Sequence, residues 1–182
     1  MASDLDKVVV VDLEATCWEG QPPAGEQPEI IEIGVCLLDI SRGAREDKRS
    51  IMVKPMRSRV SPFCTKLTTL TQADVDKGIS LADACAELAK LGKRCGRTWA
   101  SWGDYDRLQL GRECDEHKIE LPFGRTHLNV KNLFALRRGS SREPGLDKAM
   151  EELSLPMEGK HHRGADDAWN VAKLLWELVR WR

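Results

Sequence analysis

No C-x-x-C pair occurs among the six cysteines, Cys17, Cys36, Cys64, Cys85, Cys95 and Cys114. That disfavours a zinc or disulfide framework, and a reduced, cytosolic (cytoplasmic) protein is expected. Cys114 with His117 would make half of a metal site, and the sequence offers no second half. Long hydrophobic runs are missing too. The apolar stretch Val8–Val11, behind the polar segment Met1–Lys7, is too short for a secretory leader or a membrane span, so no membrane association is expected. Charge of one sign is not in excess: 28 Lys and Arg face 29 Asp and Glu, for a net charge of −1. A pure nucleic-acid-binding module draws most of its affinity from neutralising phosphates, so this balance counts against one while leaving room for a local basic patch. Repeats, low-complexity tracts and long linkers are also absent. The simplest organisation is one domain over residues 1–182, long enough to bury a core.

The patterning that is present reads as strands first, then strands alternating with helices. Lys7–Leu13 is apolar on both faces, as a central strand would be. Ile30–Ile40 and Arg49–Lys54, the latter closed by Pro55, follow at short spacing and predict an antiparallel meander. The pattern turns helical from Ser61, and Ser80–Leu91 carries apolar residues at helical spacing up to Gly92. Thr98–Trp102 predicts a strand and the residues from Asp104 a helix. His127–Val130 predicts a short strand or turn. Helices are expected over Lys131–Arg138, Gly145–Leu153 and Ala165–Trp181. The fold class is therefore α/β, a mixed central sheet flanked by helices.

Three acidic signals sit at element boundaries. Asp12 and Glu14 end the first strand two residues apart, so both face one way, with Val8 and Val10 behind them. Unless they are a solvated pair, their repulsion needs a positive partner, and a hard divalent cation supplies it. Asp104 stands where an N-cap would, while Asp106 lies in the first turn, facing inward with Leu110 and Cys114 or simply complementing the helix dipole. In the third signal, His161-His162-Arg-Gly-Ala-Asp166-Asp167, Asp167 shares an inward stripe with Val171, Leu174, Leu175 and Leu178. Asp166 shares the opposite stripe with Asn170, Lys173, Glu177 and Arg180, read as the solvent face. Taken singly, either histidine is an ordinary surface or capping residue.

Together, four acids from three elements and one histidine meet the needs of two-metal phosphodiester cleavage, with ions about 3.5–4 Å apart. Asp12 would bridge two Mg²⁺ (or Mn²⁺) ions, Glu14 and Asp167 would complete one site and Asp106 the other. His162, with an ordinary pKa of about 6.5, would take the proton of the attacking water.

The order Asp-x-Glu, Tyr-Asp, His-x₄-Asp resembles the DEDDh 3′–5′ exonucleases, which share a ribonuclease-H-like fold. Within that family the resemblance runs to the histone-mRNA exonuclease and enhanced-RNAi (Eri) branch. It is carried by Asp12-Leu-Glu-Ala-Thr-Cys-Trp18, Pro22-Pro23, Glu29-Ile-Ile-Glu-Ile-Gly34, Phe63-Cys64, Leu67-Thr-Thr-Leu-Thr71 and Gly159-Lys-His-His162 with Gly164-Ala-Asp-Asp167. The resemblance implies release of nucleoside 5′-monophosphates from a 3′-hydroxyl end, catalysed by Asp12, Glu14, Asp106, His162 and Asp167. It also implies that Ala15, Thr16 and Leu67 hold the terminal nucleotide. The chain departs from the family at Thr69, where relatives have glycine, and it leaves no room for the extra RNA-binding domain of some relatives.

Aromatic residues are few apart from six tryptophans: one tyrosine and three phenylalanines. Trp99, Trp169 and Trp176 are expected in the core, with Trp181 packing the last helix. Trp18, Trp102 and Tyr105 flank the acids and are expected to stack on bases, though Trp102 and Tyr105 fit equally well as a wall under the site. Arg137, Arg138 and Arg142 make a small basic cluster, read as a phosphate-tracking patch or a solvated loop. The expected partner is a single-stranded nucleic acid 3′ end, RNA ahead of DNA. The alternatives are a DNA-directed exonuclease and a non-catalytic regulatory or nucleic-acid-binding module of the same fold.

Overall fold

A computed structural model describes residues 7–94 and 98–180 of the chain. The expectations for Cys95 and Trp181 fall outside these residues. Three strands come first, β1 (Lys7–Ala15), β2 (Ile30–Asp39) and β3 (Arg45–Met52). After two short helices, α1 (Pro62–Thr68) and α2 (Gln72–Val75), and a longer one, α3 (Leu81–Arg94), come β4 (Thr98–Ser101) and α4 (Tyr105–His117). The chain continues through β5 (Thr126–Asn129), α5 (Val130–Arg138), α6 (Leu146–Glu152) and α7 (Gly164–Val179). The sheet order is β3-β2-β1-β4-β5. The first three strands form the antiparallel meander, and β4 and β5 extend it in parallel on the other side of β1.

β1 is central because both of its faces are apolar, and the structure covers both. Val9, Val11 and Leu13 pack with Ile33, Val35 and Leu37 of β2 against α3 and α4 residues such as Leu88 and Leu110. Val8 and Val10 pack with Cys36 and Leu38 against α5, α6 and α7. Most of the folding energy comes from burying these two layers.

Some expectations need correction. β3 begins at Arg45, four residues earlier than its apolar end suggested. Its first six residues, Arg-Glu-Asp-Lys-Arg-Ser, have no alternation because the strand is a solvated edge. Its long side chains instead reach over α7: the Arg45 guanidinium lies 4.4 Å from the Trp169 ring centre. Trp169 and Trp176 are correspondingly half-buried shoulders rather than core, and only Trp99 of the three is buried. The stripe of α7 read as solvent-facing is not open throughout. Asn170 is fully buried, donating to the Glu158 and Asp166 carbonyls and accepting from the Glu158 N–H. Cys114 packs on Cys85, Sγ to Sγ 3.8 Å, and joins no metal cluster with His117 among the described residues.

Candidate active site

The site forms where β1 ends against the first turn of α7. In the antiparallel register Asp12 lies opposite Gly34 and Glu14 opposite Glu32, all on the face that α7 covers. Helix α7 can come this close only because both contact points lack a side chain. A Cβ on Gly34 would lie 1.7 Å from the Gly164 carbonyl carbon, and one on Gly164 would lie 2.8 Å from the Gly34 nitrogen. This backbone-on-backbone seat brings Asp167, buried at the inner face of α7, to the end of β1. Carboxylate oxygens of Asp12, Glu14 and Asp167 all lie within 4.8 Å of one another. Asp106, buried in the first turn of α4, closes the remaining side and accepts the Leu13 N–H at 2.8 Å.

The electrostatics are those of a crowded anionic cluster. Burial, then Asp106, Asp167, Glu14 and Glu32, push the Asp12 carboxyl well above the usual carboxylate range. Glu14 is pushed up to about 8, by burial first and then by Asp167 and Glu32. Asp106 is pushed up to about 6 by burial, although the N–H of Leu13 and the Ser101 hydroxyl oppose the shift by favouring the charged form. No hydrogen-bond donor among the described residues meets the carboxylates of Asp12 or Glu14. The donor set is all oxygen, hard and clustered, which fits a divalent cation such as Mg²⁺ or Mn²⁺.

Both histidines lie against Asp167. The His162 N–H donates to Asp167 Oδ2 at 2.7 Å, while His161 Nδ1 lies 3.0 and 3.1 Å from the two carboxylate oxygens. The two imidazoles stack with centres 3.9 Å apart. Their environments differ. The hydrogen bond to Asp167 raises the pKa of His161, whereas burial and then the His161 charge lower that of His162. Both effects on His162 favour its neutral imidazole. It also adopts a left-handed backbone (φ +62°), a costly conformation held by the loop around it.

Expected substrate contacts divide. Tyr105 is about half exposed, and burial, Asp106 and Cys17 push its hydroxyl up to about 12, which places it at the edge of the acidic cluster. Leu67 and Trp18 are half-buried. Ala15 and Thr16 are buried, and the Thr16 hydroxyl is spent inside the fold, accepting from Glu29 N–H and donating to the Gln27 carbonyl. Trp102 is half-buried and packs edge-on against Phe134 in the layer beneath, in keeping with a wall under the site. Asp104 occupies the N-cap position of α4 as expected, but its side chain makes no capping bond; its carboxylate takes the Arg107 guanidinium and the Asn129 amide instead. Sequence pattern alone did not single out Glu32, and it offered His161 only as a surface or capping residue. Glu32 sits inside the quoted Glu29–Gly34 motif, and a charged residue in an otherwise apolar strand was the available signal.

A central strand ending in paired carboxylates, closed by acids from two helices, defines a metal-dependent nuclease of ribonuclease-H-like fold. A family model described as Exonuclease matches residues 9–175, and the chain belongs to this family as a DEDDh member. Similar proteins include the 3′–5′ exonuclease Snipper of Drosophila melanogaster, 31% identical over 95% of this chain and 69% of that protein. Human 3′–5′ exoribonuclease 1 is 29% identical over 96% of this chain, which spans only 53% of its length. Mouse ERI1 exoribonuclease 2 is 30% identical, and the chain spans 28% of it. Among solved structures, the nuclease domain of 3′hExo bound to rAMP matches with a TM-score of 0.87 at 26% identity, covering 96% of this chain and 92% of that one. Among the described residues, no helix is long and apolar enough to cross a membrane.

Proposed function

We propose that the chain removes nucleoside 5′-monophosphates from single-stranded RNA 3′ ends, as one exonuclease domain over residues 1–182. The observation that carries this is the convergence of Asp12, Glu14 and Asp167 within 4.8 Å, with Asp106 beside them and two histidines on Asp167. Asp12, Glu14, Asp106 and Asp167 would hold two Mg²⁺ or Mn²⁺ ions, which supply Lewis-acid stabilisation of charge on the attacking and leaving oxygens. His162 accepts the proton of the attacking water, aided by an environment that keeps it neutral. His161 holds the second oxygen of Asp167 and so sets that carboxylate's orientation. Tyr105, Trp18 and Leu67 line the approach of the terminal nucleotide. RNA is favoured over DNA by two of the three relatives above, which are named as exoribonucleases, and by a matched structure that holds rAMP. A reducing, cytoplasmic setting belongs to the same reading, supported by five free cysteines among the described residues.

The test is a time course on a 5′-labelled single-stranded RNA 12-mer beside a DNA 12-mer of the same sequence, with Mg²⁺, with Mn²⁺ and with EDTA. The reading expects a metal-dependent ladder shortening from the 3′ end, faster on RNA. A faster DNA ladder would reassign the substrate. No ladder with either metal would leave a binding module.

A further inference from the structure

Glu32 is a buried acid beside the site that the chemistry above leaves unused. It is fully buried in β2, directly across from Glu14. Like charges facing each other across two strands destabilise both, and a buried carboxylate persists only with donors on its oxygens. Glu32 has a full set. Arg163 donates from Nε at 3.0 Å and from its terminal nitrogen at 3.3 Å. The Gly164 N–H donates at 3.2 Å and the Ser50 hydroxyl at 2.5 Å. Arg163 is the N-cap residue of α7 and makes no capping bond with its own side chain, so a carboxylate from the neighbouring strand satisfies the first N–H of the helix instead.

The consequence is geometric. Arg163 directly follows His162, whose left-handed backbone must be held from outside, and Gly164 begins the helix turn that carries Asp167. One buried carboxylate thus grips the loop between the two on both sides of the Arg163–Gly164 peptide, while the Gly34–Gly164 contact fixes depth but not rotation. We infer that Glu32, acting through Arg163, is a positioning residue that orients His162 and Asp167 against the end of β1. The inference rests on the proposed nuclease function but concerns a residue outside its acid-and-histidine set. It also explains why two facing glutamates differ in fate: Glu32 is neutralised by the protein, and Glu14 is left for a cation.

The variants are Arg163→Gln, which is partly exposed and should fold, and the nearly isosteric Glu32→Gln. Each is assayed for kcat and KM on the RNA 12-mer, for Mn²⁺ binding with the metal alone, and for amide hydrogen exchange over residues 159–167. A loosened loop misplaces the reacting groups without removing a ligand, so kcat should fall about 10- to 100-fold. KM should stay within about twofold, and loop exchange should quicken while β1 stays protected. Because both changes break one interaction, the double variant should be no worse than the poorer single one. Glu32→Gln, which keeps an acceptor for Gly164, should retain more activity than Glu32→Ala. A folded Arg163→Gln variant with wild-type kcat and wild-type loop exchange overturns the inference and leaves the nuclease reading intact. A wild-type protein that cleaves nothing overturns both.

Discussion

Replacing Gly34 by alanine adds one methyl group and should undo the site. The new Cβ would meet the Gly164 carbonyl carbon at 1.7 Å, its oxygen at 1.9 Å and the Ala165 nitrogen at 2.2 Å. All three are backbone atoms, so no side chain can swing aside. To restore an ordinary contact of 3.4 Å the start of α7 must retreat by about 1.7 Å. Overpacking in well-packed regions costs about 1–3 kcal/mol, and a rigid backbone contact belongs at or above the upper end. For a chain of this size that is a fall in Tm of roughly 6–12 °C. The same retreat carries Asp167 and His162 away from Asp12 and Glu14, and misplacement by about 1 Å costs on the order of 10²-fold in rate. Thermal melting with and without Mn²⁺, together with the RNA assay, reads both effects. A Gly34→Ala protein that melts within about 2 °C of wild type and cleaves at a similar rate would mean that this contact does not seat α7.

Three further outcomes are expected. Thr69 caps α1 with φ +67°, a left-handed conformation that strains a β-branched residue; Thr69→Gly should stabilise the fold by about 0.5–1 kcal/mol, and an unchanged or lower Tm would count against strain there. Lys173, then Arg45 and Trp169, hold the Glu158 carboxyl down to about 2; being lowered on folding, it contributes stability that is present above its unfolded value near 4.5 and lost as pH falls towards 2. Because the side chain is 40% exposed the effect is modest, and Glu158→Gln should flatten the stability profile between pH 4.5 and 2, an unaltered profile being the contrary result. His162→Ala should keep Mn²⁺ binding yet lose about 10²- to 10⁴-fold in turnover. His161→Ala should cost turnover far less and act mainly through Asp167. Equal losses for the two variants would remove the distinction between them.

The parts of the fold legible in the sequence are those with a strong physical period. β1 betrayed its central place by apolar faces on both sides, and α7 separated Asp167 from Asp166 by helical geometry alone. β3 was truncated because an edge strand covered by its own long charged side chains has no hydrophobic alternation to read. Helices α1 and α2 are too short for periodicity, though their caps were written in Ser61-Pro62 and Thr71-x-x-Asp74, where side-chain oxygens accept the N–H three residues on. Residue types and spacing pointed to Asp12, Glu14, Asp106, His162 and Asp167, which the structure brings together at the end of β1. What they could not supply was the use of each side chain. The Thr16 hydroxyl is bonded inside the fold and Trp102 packs against Phe134, neither of which the local pattern shows. The roles of His161 and Glu32 depend on contacts across 6 and 131 residues that no local pattern encodes.

On the proposed reading, the carboxylates at the end of β1 hold the metal ions on which exonuclease activity depends. Asp12→Asn tests it most directly, because the change keeps the shape of the side chain and removes only its charge. Release of 5′-monophosphate from the RNA 12-mer should fall by about 10²-fold or more. The stabilisation that Mn²⁺ gives the wild-type protein should be lost, with the metal-free fold intact. Wild-type turnover and undiminished Mn²⁺ stabilisation in Asp12→Asn would contradict the account.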